Sequence, residues 1–573
     1  MSKPLNVSEL KSSSPKELLK RYPKLEPFKT AAQPSTQTMA VAPAPPPTSG
    51  LEPYSGEWTQ REAKHLVNRT LFGANREKIS HALDQGLEAS VTELLADYNL
   101  PEPPLNTLAE FSVPIGETWV DAHLEDVSQV VTRAVSLYSW TNGLILNQSF
   151  SIREKMTLFW HDHFSTQSDV IEDPRFIYKH ISLLRENALG NYKELCKKIT
   201  VDPAMLRFLN GNQNFNVAPN ENYARELLEL FSIGKGPQAG PGDYTNYTED
   251  DIAAAARVLT GWIDLGFGSL TPGEEIGSAF FDIAHDLEPK QFSERFNNTI
   301  INNQGEDEYS ALIDMIFQQD ACASFICRKL YRFFVHYIID DSVETNMIQP
   351  MADILIANDY DITPVLEALF KSAHFYDAEV VGCMIKNPLD FILGMLNQFD
   401  VQISDEDVVQ QYATWTGLAF AIPLLQMDYY NPPSVAGWQA YYQAPTYYRK
   451  WINSVTLPIR MVIAPALIFE GLDIEGETIF IDTLEFVNSM PEPSDVNELI
   501  TDVTDFLYAR PATASQKIYL KQFLLQGLPD FEWNVEYTNY LDDPEDEDLT
   551  NSVRNKTNLF LYGCLTLPEA FVA

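Results

Sequence analysis

The chain has few cysteines, no long apolar run and none of the common catalytic loop motifs. Its five cysteines are widely scattered and form no CxxC pair, so they show neither a zinc motif nor a dithiol redox motif. The most apolar stretch, residues 455–469, contains Arg460 and two prolines and is too short to span a bilayer. The GxSxG, Walker, GxGxxG and HExxH patterns are missing, which argues against serine hydrolases, P-loop proteins, Rossmann proteins and zincins.

Basic residues are also scarce. The 40 lysines and arginines stand against 80 acidic residues and give a formal net charge of −40. This charge repels the phosphates of nucleic acid and of anionic membranes, so we expect no nucleic-acid partner. The acidic excess indicates a highly soluble surface, or one that binds divalent cations or a cationic partner.

The first residues carry no secretion signal. Residues 1–23 contain lysines but no apolar run, so no signal peptide is visible and no transmembrane segment is expected. The sequence therefore predicts a cytoplasmic location. If the start has been trimmed, the location becomes periplasmic or extracellular.

Composition and periodicity predict an all-α protein. Residues 1–55 are Pro-rich and predict a disordered tail. Helical patterns dominate residues 56–460, which we interpret as the core domain, and residues 461–573 are predicted to form a C-terminal helical extension packed on it. An irregular insertion rich in Gly and Pro, residues 264–304, interrupts a multi-helix array with little strand.

The chain has only nine histidines, and two of them, His161 and His163, lie one residue apart at the end of a predicted helix over residues 152–164. On a helical wheel they point about 200° apart, so a single continuous helix would not aim both at one metal ion. A shared site requires the helix to end near Asp162. The alternative is that His163 is a core histidine bonded to the backbone and that His161 is a surface residue.

A second group of polar residues lies on the predicted helix over residues 222–233. Glu221, Arg225 and Glu229 form an i, i+4 ladder, and Glu226 lies on the same polar side. A solvated helix face explains this pattern. If the face is instead buried against the histidine helix, Glu221 and Glu226 become acid–base groups or metal ligands, and Arg225 can hold an anionic substrate group.

A third pair, His285 and Asp286, lies in the irregular insertion, where functional groups are often presented. Imidazole and carboxylate together suit zinc, iron or manganese. One hypothesis is therefore a divalent metal bound by His161, His163 and His285, with Asp286 orienting or joining the ligands.

Several long motifs recur in the order that is typical of one bacterial family. Over residues 58–451 the chain resembles the family called domain of unknown function eighteen hundred. The stretches that carry the resemblance are Lys64-His65-Leu66 with Arg69, Phe72 and Gly73; residues 158–164; residues 185–192; residues 202–206; residues 220–234; residues 247–262; His285-Asp286 with Lys290; and residues 432–438.

The resemblance implies a predominantly helical protein. Members of the family are commonly exported and are often encoded beside a family that resembles sulfatases and alkaline phosphatases, which implies a sulfatase-like partner protein. This chain departs from the pattern in two ways: it shows no signal peptide, and it has Asn187 where the family often has histidine.

Three functions fit these observations. The first is a metal-dependent enzyme, a hydrolase, in which Glu221 or Glu226 takes a proton from a metal-bound water. The second is a redox protein that uses the same ligands for iron, copper or haem. The third is a non-enzymatic helical scaffold or interaction protein with an acidic docking face.

Overall fold

The computed structural model describes residues 4–23, 49–96, 99–241, 243–474 and 476–573. Most of these residues are helical and the strands are short, which confirms the prediction of a predominantly helical protein with little strand. None of the helices among these residues is long and apolar enough to cross a membrane.

The first half of the array begins several of its helices at polar caps. Asp173, Asn191 and Thr248 each accept a backbone N–H in the first turn of the helix that follows. The helices are α1 (Val7–Ser12), α2 (Pro15–Leu18), α3 (Gln60–Thr70), α4 (Arg76–Leu94), α5 (Ser128–Leu146), α6 (Arg153–His163), α7 (Ser168–Ile171), α8 (Pro174–Glu186), α9 (Tyr192–Thr200), α10 (Pro203–Phe208), α11 (Glu221–Glu226) and α12 (Glu249–Val258). Helices α8 and α9 are separate, and Asn191 caps the second of them.

The second half of the array continues through the end of the chain. Its helices are α13 (Glu308–Ile316), α14 (Asp320–Phe334), α15 (Asp341–Val343), α16 (Gln349–Ala357), α17 (Thr363–Phe370), α18 (Pro388–Gln398), α19 (Val408–Ala421), α20 (Gln439–Tyr442), α21 (Thr456–Phe469), α22 (Thr483–Asn488), α23 (Val496–Leu507), α24 (Ala514–Leu525), α25 (Asp530–Asp542) and α26 (Glu547–Thr566). Asn387 caps α18 and Pro388 occupies its first turn, where a missing N–H costs nothing.

Helix α6 lies at the centre of the array and packs against α8. Every residue of α6 except Glu154 is buried, including charged residues at both of its ends. Buried charges need partners, so this helix organises the polar interior of the protein.

The strands form small sheets at the periphery. Strands β4 (Trp262–Leu265) and β5 (Gly277–Phe280), and β6 (Lys290–Gln291) and β7 (Ile300–Ile301), form antiparallel pairs in the Gly/Pro-rich insertion. The remaining strands are β1 (Leu5–Asn6), β2 (Gln238–Gly240), β3 (Asp243–Tyr244), β8 (Leu472–Ile474) and β9 (Glu477–Ile479).

The prediction of a disordered tail over residues 1–55 is wrong for residues 4–23. Strand β1 pairs in parallel with β8, with Leu5 opposite Leu472. Leu10, Leu18 and Tyr22 are buried. These apolar side chains pack against the globular part of the chain, and a composition argument weighted towards the neighbouring prolines overlooks them. The Pro-rich part of the predicted tail, residues 24–48, lies outside the described residues.

The C-terminal helices contact the preceding array. Helix α26 packs against α21 and α22, and the ammonium of Lys64 on α3 donates hydrogen bonds to the carbonyl oxygens of Asp505 and Tyr508 at the end of α23. A lysine at a helix C-terminus satisfies carbonyl groups that lack a helical partner. The boundary near residue 460 between core and extension stays a prediction.

Candidate functional site

The two histidines of α6 have separate surroundings. Helix α6 continues through His163, so the two imidazoles point in different directions, as the helical wheel requires. Nε2 of His161 lies 2.8 Å from the carbonyl oxygen of Tyr429, and burial lowers the pKa of His161 to about 3. Nδ1 of His163 accepts a hydrogen bond of 2.8 Å from the ammonium of Lys329. Both histidines are buried, so the surface position considered for His161 is wrong.

The segment that follows the Glu221–Glu226 block, and not the block itself, contacts His163, and it does so through its backbone. After α11 the helix widens into a π-helical segment, Leu227–Ser232, which shifts the regular hydrogen bonds. The carbonyl oxygen of Leu230 lies 3.2 Å from the ammonium of Lys329. The carbonyl oxygen of Phe231 lies 3.2 Å from Nε2 of His163. The backbone of this segment, and not its carboxylates, therefore satisfies the buried histidine.

The charged side chains of the Glu221–Glu226 block face elsewhere. Arg225 forms a two-pronged ion pair with Glu249, at 2.7 and 3.0 Å, and also contacts Glu221 at 3.3 Å. These side chains are between a third and a half exposed, which fits the solvated-face alternative. Glu226 is half-buried, and burial and the charge of Glu229 raise its pKa.

His285 belongs to a separate buried cluster. Its Nδ1 donates to the carbonyl oxygen of Thr260 at 2.8 Å, and its Nε2 lies 3.0 Å from Glu308. Glu308 also pairs with Lys290 at 2.5 Å. Asp286 points away from this cluster and binds the guanidinium of Arg257 through both carboxylate oxygens.

The structure therefore does not bring the predicted metal ligands together. His163 and His285 already use both ring nitrogens, and Asp286 is paired with arginine. Across the described parts of the chain, no group of three or more His, Cys, Asp or Glu side chains is placed to hold a metal ion. In the described structure His161, His163, His285 and Asp286 do not form the single metal centre that the sequence predicts. His163, His285 and Asp286 are bonded to local partners, whereas Nδ1 of His161 is buried without a hydrogen-bond partner among the described residues.

Charge gathers instead in a cavity beside α6, which we call the basic cavity. The empty space between its walls is about 440 Å³ including the opening to solvent, but the centre of a water molecule can reach only about 30 Å³ of it. Its charged lining residues are Arg69, Lys155, Lys386 and Asp390. Aromatic rings complete the wall: Phe333, Tyr441, Tyr448 and Trp451. Three cationic side chains thus face one carboxylate side chain in a protein whose overall charge is strongly negative, and the last residue, Ala573, also lines the cavity.

Three helix ends deliver the charged side chains. Arg69 comes from the last turn of α3 and Lys155 from the first turn of α6. Lys386 immediately precedes the cap of α18, and Asp390 lies in the first turn of that helix. The cap residue Asn387 holds Asp390 through its amide, at 2.7 Å, and also reaches the hydroxyl of Tyr441 at 3.3 Å.

The cationic groups of the basic cavity do not all have partners within the described part of the chain. Lys155 pairs with Asp390 and lies 4.1 Å above the ring of Phe72. Arg69 donates through Nη2 to the carbonyl of Val380 at 2.9 Å, but its Nε finds no partner among the described residues. The ammonium of Lys386 has neither a hydrogen bond nor an ion pair within the described part of the chain.

Burial shifts the acid–base behaviour of the cavity lysines. Burial lowers the pKa of Lys386 to about 8; the carboxylate of Asp390 opposes the change, and the charges of Arg460 and Lys155 add to it. Burial also lowers the pKa of Lys155, against the effect of Asp390. Because their pKa values are lowered, Lys386 and Lys155 lose a proton more easily than exposed lysines, and this loss reduces the repulsion between the positive charges.

A buried acid–base pair lies behind the aromatic wall. Oδ1 of Asp162 accepts the backbone N–H of Trp438 at 2.8 Å. Burial raises the pKa of Asp162 and lowers that of Lys329, and each charge opposes the shift of the other. Burial and the carboxylates of Asp162 and Asp390 raise the pKa of Tyr441, so this ring lies within electrostatic reach of both acids.

Sequence reasoning missed most of this site. It singled out the helix that carries Lys155 and Asp162 but attended to its histidines. Two signals were available. Arg69 belongs to the first motif that carries the family resemblance, and basic residues at apolar positions are unusual in so acidic a chain.

Comparisons with known proteins agree with the motif pattern. A family model described as "Protein of unknown function (DUF1800)" matches residues 65–538, most of the chain. The match includes the stretches that provide Arg69, Lys155, Lys386 and Asp390. No curated protein and no solved structure shows significant similarity to the chain.

Proposed function

We propose that this protein, which belongs to the DUF1800 family over most of its length, binds a small oxyanion, or the anionic group of a larger molecule, in the basic cavity. The description of that family gives no activity, so the proposal rests on the site itself. The observation that carries the proposal is the ammonium of Lys386, which lines the cavity without a hydrogen bond or ion pair from any described residue. A partly buried charge left in this state is costly unless a partner supplies the missing interaction.

The charge balance of the cavity favours an anion over a neutral ligand. Arg69, Lys155 and Lys386 contribute three positive charges, and only Asp390 opposes them among the lining side chains. Arg460 adds a fourth positive charge nearby, since it donates to the carbonyl of Lys386 at 2.8 Å. A bound phosphate, sulfate or carboxylate would reduce this repulsion and accept hydrogen bonds from the ammonium and guanidinium groups.

The narrow space limits what enters the cavity. The centre of a water molecule can reach only about 30 Å³ of the cavity, which leaves room for one small anionic group and not for a large cofactor. The aromatic wall excludes water on one side and strengthens the electrostatic attraction.

Binding of small anions tests the proposal directly. Sodium phosphate, sulfate and acetate are titrated into the full chain by calorimetry, with chloride at matched ionic strength as the reference. We expect at least one of the three anions to bind and to raise the unfolding temperature. Lys386→Met should weaken that binding at least tenfold, whereas Lys198→Met, on an exposed face of α9, should not. Absence of binding by all three anions, or equal binding by the Lys386→Met protein, would contradict the proposal.

A second candidate function is catalysis on the bound anion, which keeps the hydrolase hypothesis without its metal site. The observation that favours it is Asp162, a buried carboxyl that does not itself line the basic cavity but lies close enough to the lining residue Tyr441 to add to the rise that burial causes in the pKa of its hydroxyl. Burial raises the pKa of Asp162 to about 7, which suits a general acid near neutral pH. Hydrolysis of p-nitrophenyl phosphate and p-nitrophenyl sulfate by the purified protein tests it. We expect Asp162→Asn to lower the rate at least a hundredfold while anion binding persists. No hydrolysis of either ester by the wild-type protein would count against this candidate.

A further inference from the structure

A second cationic pocket adjoins the basic cavity. This outer cleft is formed by Arg332, Tyr337, Ile338, Pro445, Tyr447 and Arg449, and its empty space is about 870 Å³ including open solvent. It is wider and more open than the basic cavity. The lining residues include two arginines and no acid, although acidic residues outnumber basic ones twofold in the whole chain.

The arginines of the outer cleft are held by aromatic rings and not by carboxylates. The guanidinium of Arg449 lies 5.2 Å from the centre of the Tyr337 ring and donates to its hydroxyl. The guanidinium of Arg332 lies 5.6 Å from the Tyr447 ring, and its buried Nε has no hydrogen-bond partner among the described residues. Stacking on rings fixes a guanidinium in place but leaves its charge available to a ligand.

Tyrosine rings lie where the basic cavity and the outer cleft meet. Tyr448 lines the basic cavity, and the centre of its ring lies 4.9 Å from that of Tyr337, which lines the outer cleft. The neighbouring residues divide in the same way: Tyr447 faces the outer cleft, and Phe333 of the basic cavity directly follows Arg332 on α14. Two cationic pockets of different width therefore lie side by side, with tyrosine rings between them.

From this arrangement we propose that the natural ligand is an organic molecule with two anionic groups, one bound in the basic cavity and the other by Arg332 and Arg449 in the outer cleft, with a ring or chain between them that packs on the tyrosines. This inference rests on the proposed function and adds to it the class of ligand. Phosphate, sulfate and carboxylate share the required chemistry. Two linked anionic groups gain affinity because the second group binds as part of a molecule that is already held.

Affinities for inorganic phosphate, glucose 6-phosphate and fructose 1,6-bisphosphate, measured by calorimetry on the full chain, test this proposal. We expect the bisphosphate to bind at least tenfold more tightly than inorganic phosphate. Arg332→Gln should weaken the bisphosphate at least tenfold and change the affinity for inorganic phosphate less than twofold. Arg328→Gln is the matched control, because Arg328 lies one turn earlier on α14 and pairs with Glu344.

The outcomes separate the two proposals. If inorganic phosphate binds and depends on Lys386, but the bisphosphate binds no more tightly, the two-subsite inference is overturned and the proposed function stands. The inference is also overturned if Arg332→Gln weakens all three ligands equally. If none of the three binds, and sulfate and acetate also fail to bind, the proposed function itself fails.

Discussion

The ammonium of Lys329 donates a hydrogen bond of 2.8 Å to Nδ1 of His163. This contact fixes the state of the imidazole, because Nδ1 accepts and the proton must then lie on Nε2, which faces the carbonyl oxygen of Phe231 at 3.2 Å. Burial and the charge of Lys329 hold the pKa of His163 well below its usual value. His163 is therefore a neutral, fully bonded residue of the interior and not an open metal ligand.

Replacing His163 should destabilise the fold. His163→Ala leaves a cavity and removes the hydrogen-bond partner of a buried ammonium, so the free energy of unfolding should fall by about 2 to 5 kcal/mol. Denaturant unfolding measures the change. His81→Ala is the control, because His81 is about half exposed and should shift the free energy by less than about 0.5 kcal/mol. A loss at His163 no larger than at His81 would contradict the assigned role.

Removing divalent metal should not change the stability of the protein, because the histidines predicted as metal ligands have protein partners. The nitrogens of His163 and His285 are already used by protein partners, so dialysis against EDTA should not change the unfolding temperature. Thermal unfolding followed by circular dichroism, with metal analysis of the same samples, checks this. The result would contradict these assignments if EDTA lowered the unfolding temperature, and if zinc restored that temperature in the wild-type protein but not in the His285→Ala protein.

Lys386→Met should stabilise the anion-free protein at neutral pH. The folded protein releases the Lys386 proton near pH 8, whereas the unfolded chain keeps it to about pH 10.4. The cost of holding this charge is therefore fully present below pH 8 and disappears as the pH rises from 8 to about 10.4. We expect a gain of about 1 to 2 kcal/mol at pH 7. Unfolding free energies at pH 7 and pH 10 measure it, and a gain of equal size at both would point to packing instead.

Glu308→Gln should be strongly destabilising. The side chains of Glu308, His285 and Lys290 are all fully buried, and the carboxylate of Glu308 contacts both Nε2 of His285 and the ammonium of Lys290. The amide would leave Lys290 charged and unpaired, at a cost of about 3 to 5 kcal/mol. In the matched variant Glu221→Gln the side chain is 48% exposed, so the expected change is below about 0.5 kcal/mol. Similar effects at the two positions would refute the buried network.

Gly437→Ala tests the contact between the segment before α20 and Asp162. Gly437 has a φ of +87°, and an added Cβ would lie 2.2 Å from Oδ1 of Asp162. The alanine must therefore displace the carboxylate or the backbone, so we expect a loss of more than about 2 kcal/mol. Gly116 has a φ of +85° but nothing within 4 Å of its added Cβ, so Gly116→Ala isolates the backbone strain of about 1 to 2 kcal/mol. Equal losses would show that Gly437 does not press on Asp162.

Much of the helical architecture could be predicted from local sequence. The pattern over residues 152–164 predicted α6 to within one residue at each end, and the helical wheel correctly placed His161 and His163 on different sides. Helix caps are equally local: Thr248 and Asn220 each accept a backbone N–H in the first turn of the helix that follows. These features depend on neighbours within four residues, which the sequence displays directly.

The candidate site could not be found in this way. The wheel showed which residues share a face of α6 but not what that face meets, and the partner of Lys155 is Asp390, which lies 235 residues away. The same limit explains the error at residues 4–23, where Leu5 finds its partner strand only at Leu472. Local periodicity carries no information on which distant elements pack together.

The sequence by itself determined the helical class, the acidic character and the positions of many helix ends, because these follow from composition and short-range contacts. Only the tertiary structure decided which charges are neutralised. It satisfied His163 and His285 with backbone carbonyls and side chains from neighbouring elements, and it gathered Arg69, Lys155 and Lys386 around one carboxylate side chain. The physical reason is that the energy of a buried charge depends on partners and dielectric surroundings that are assembled from the whole chain.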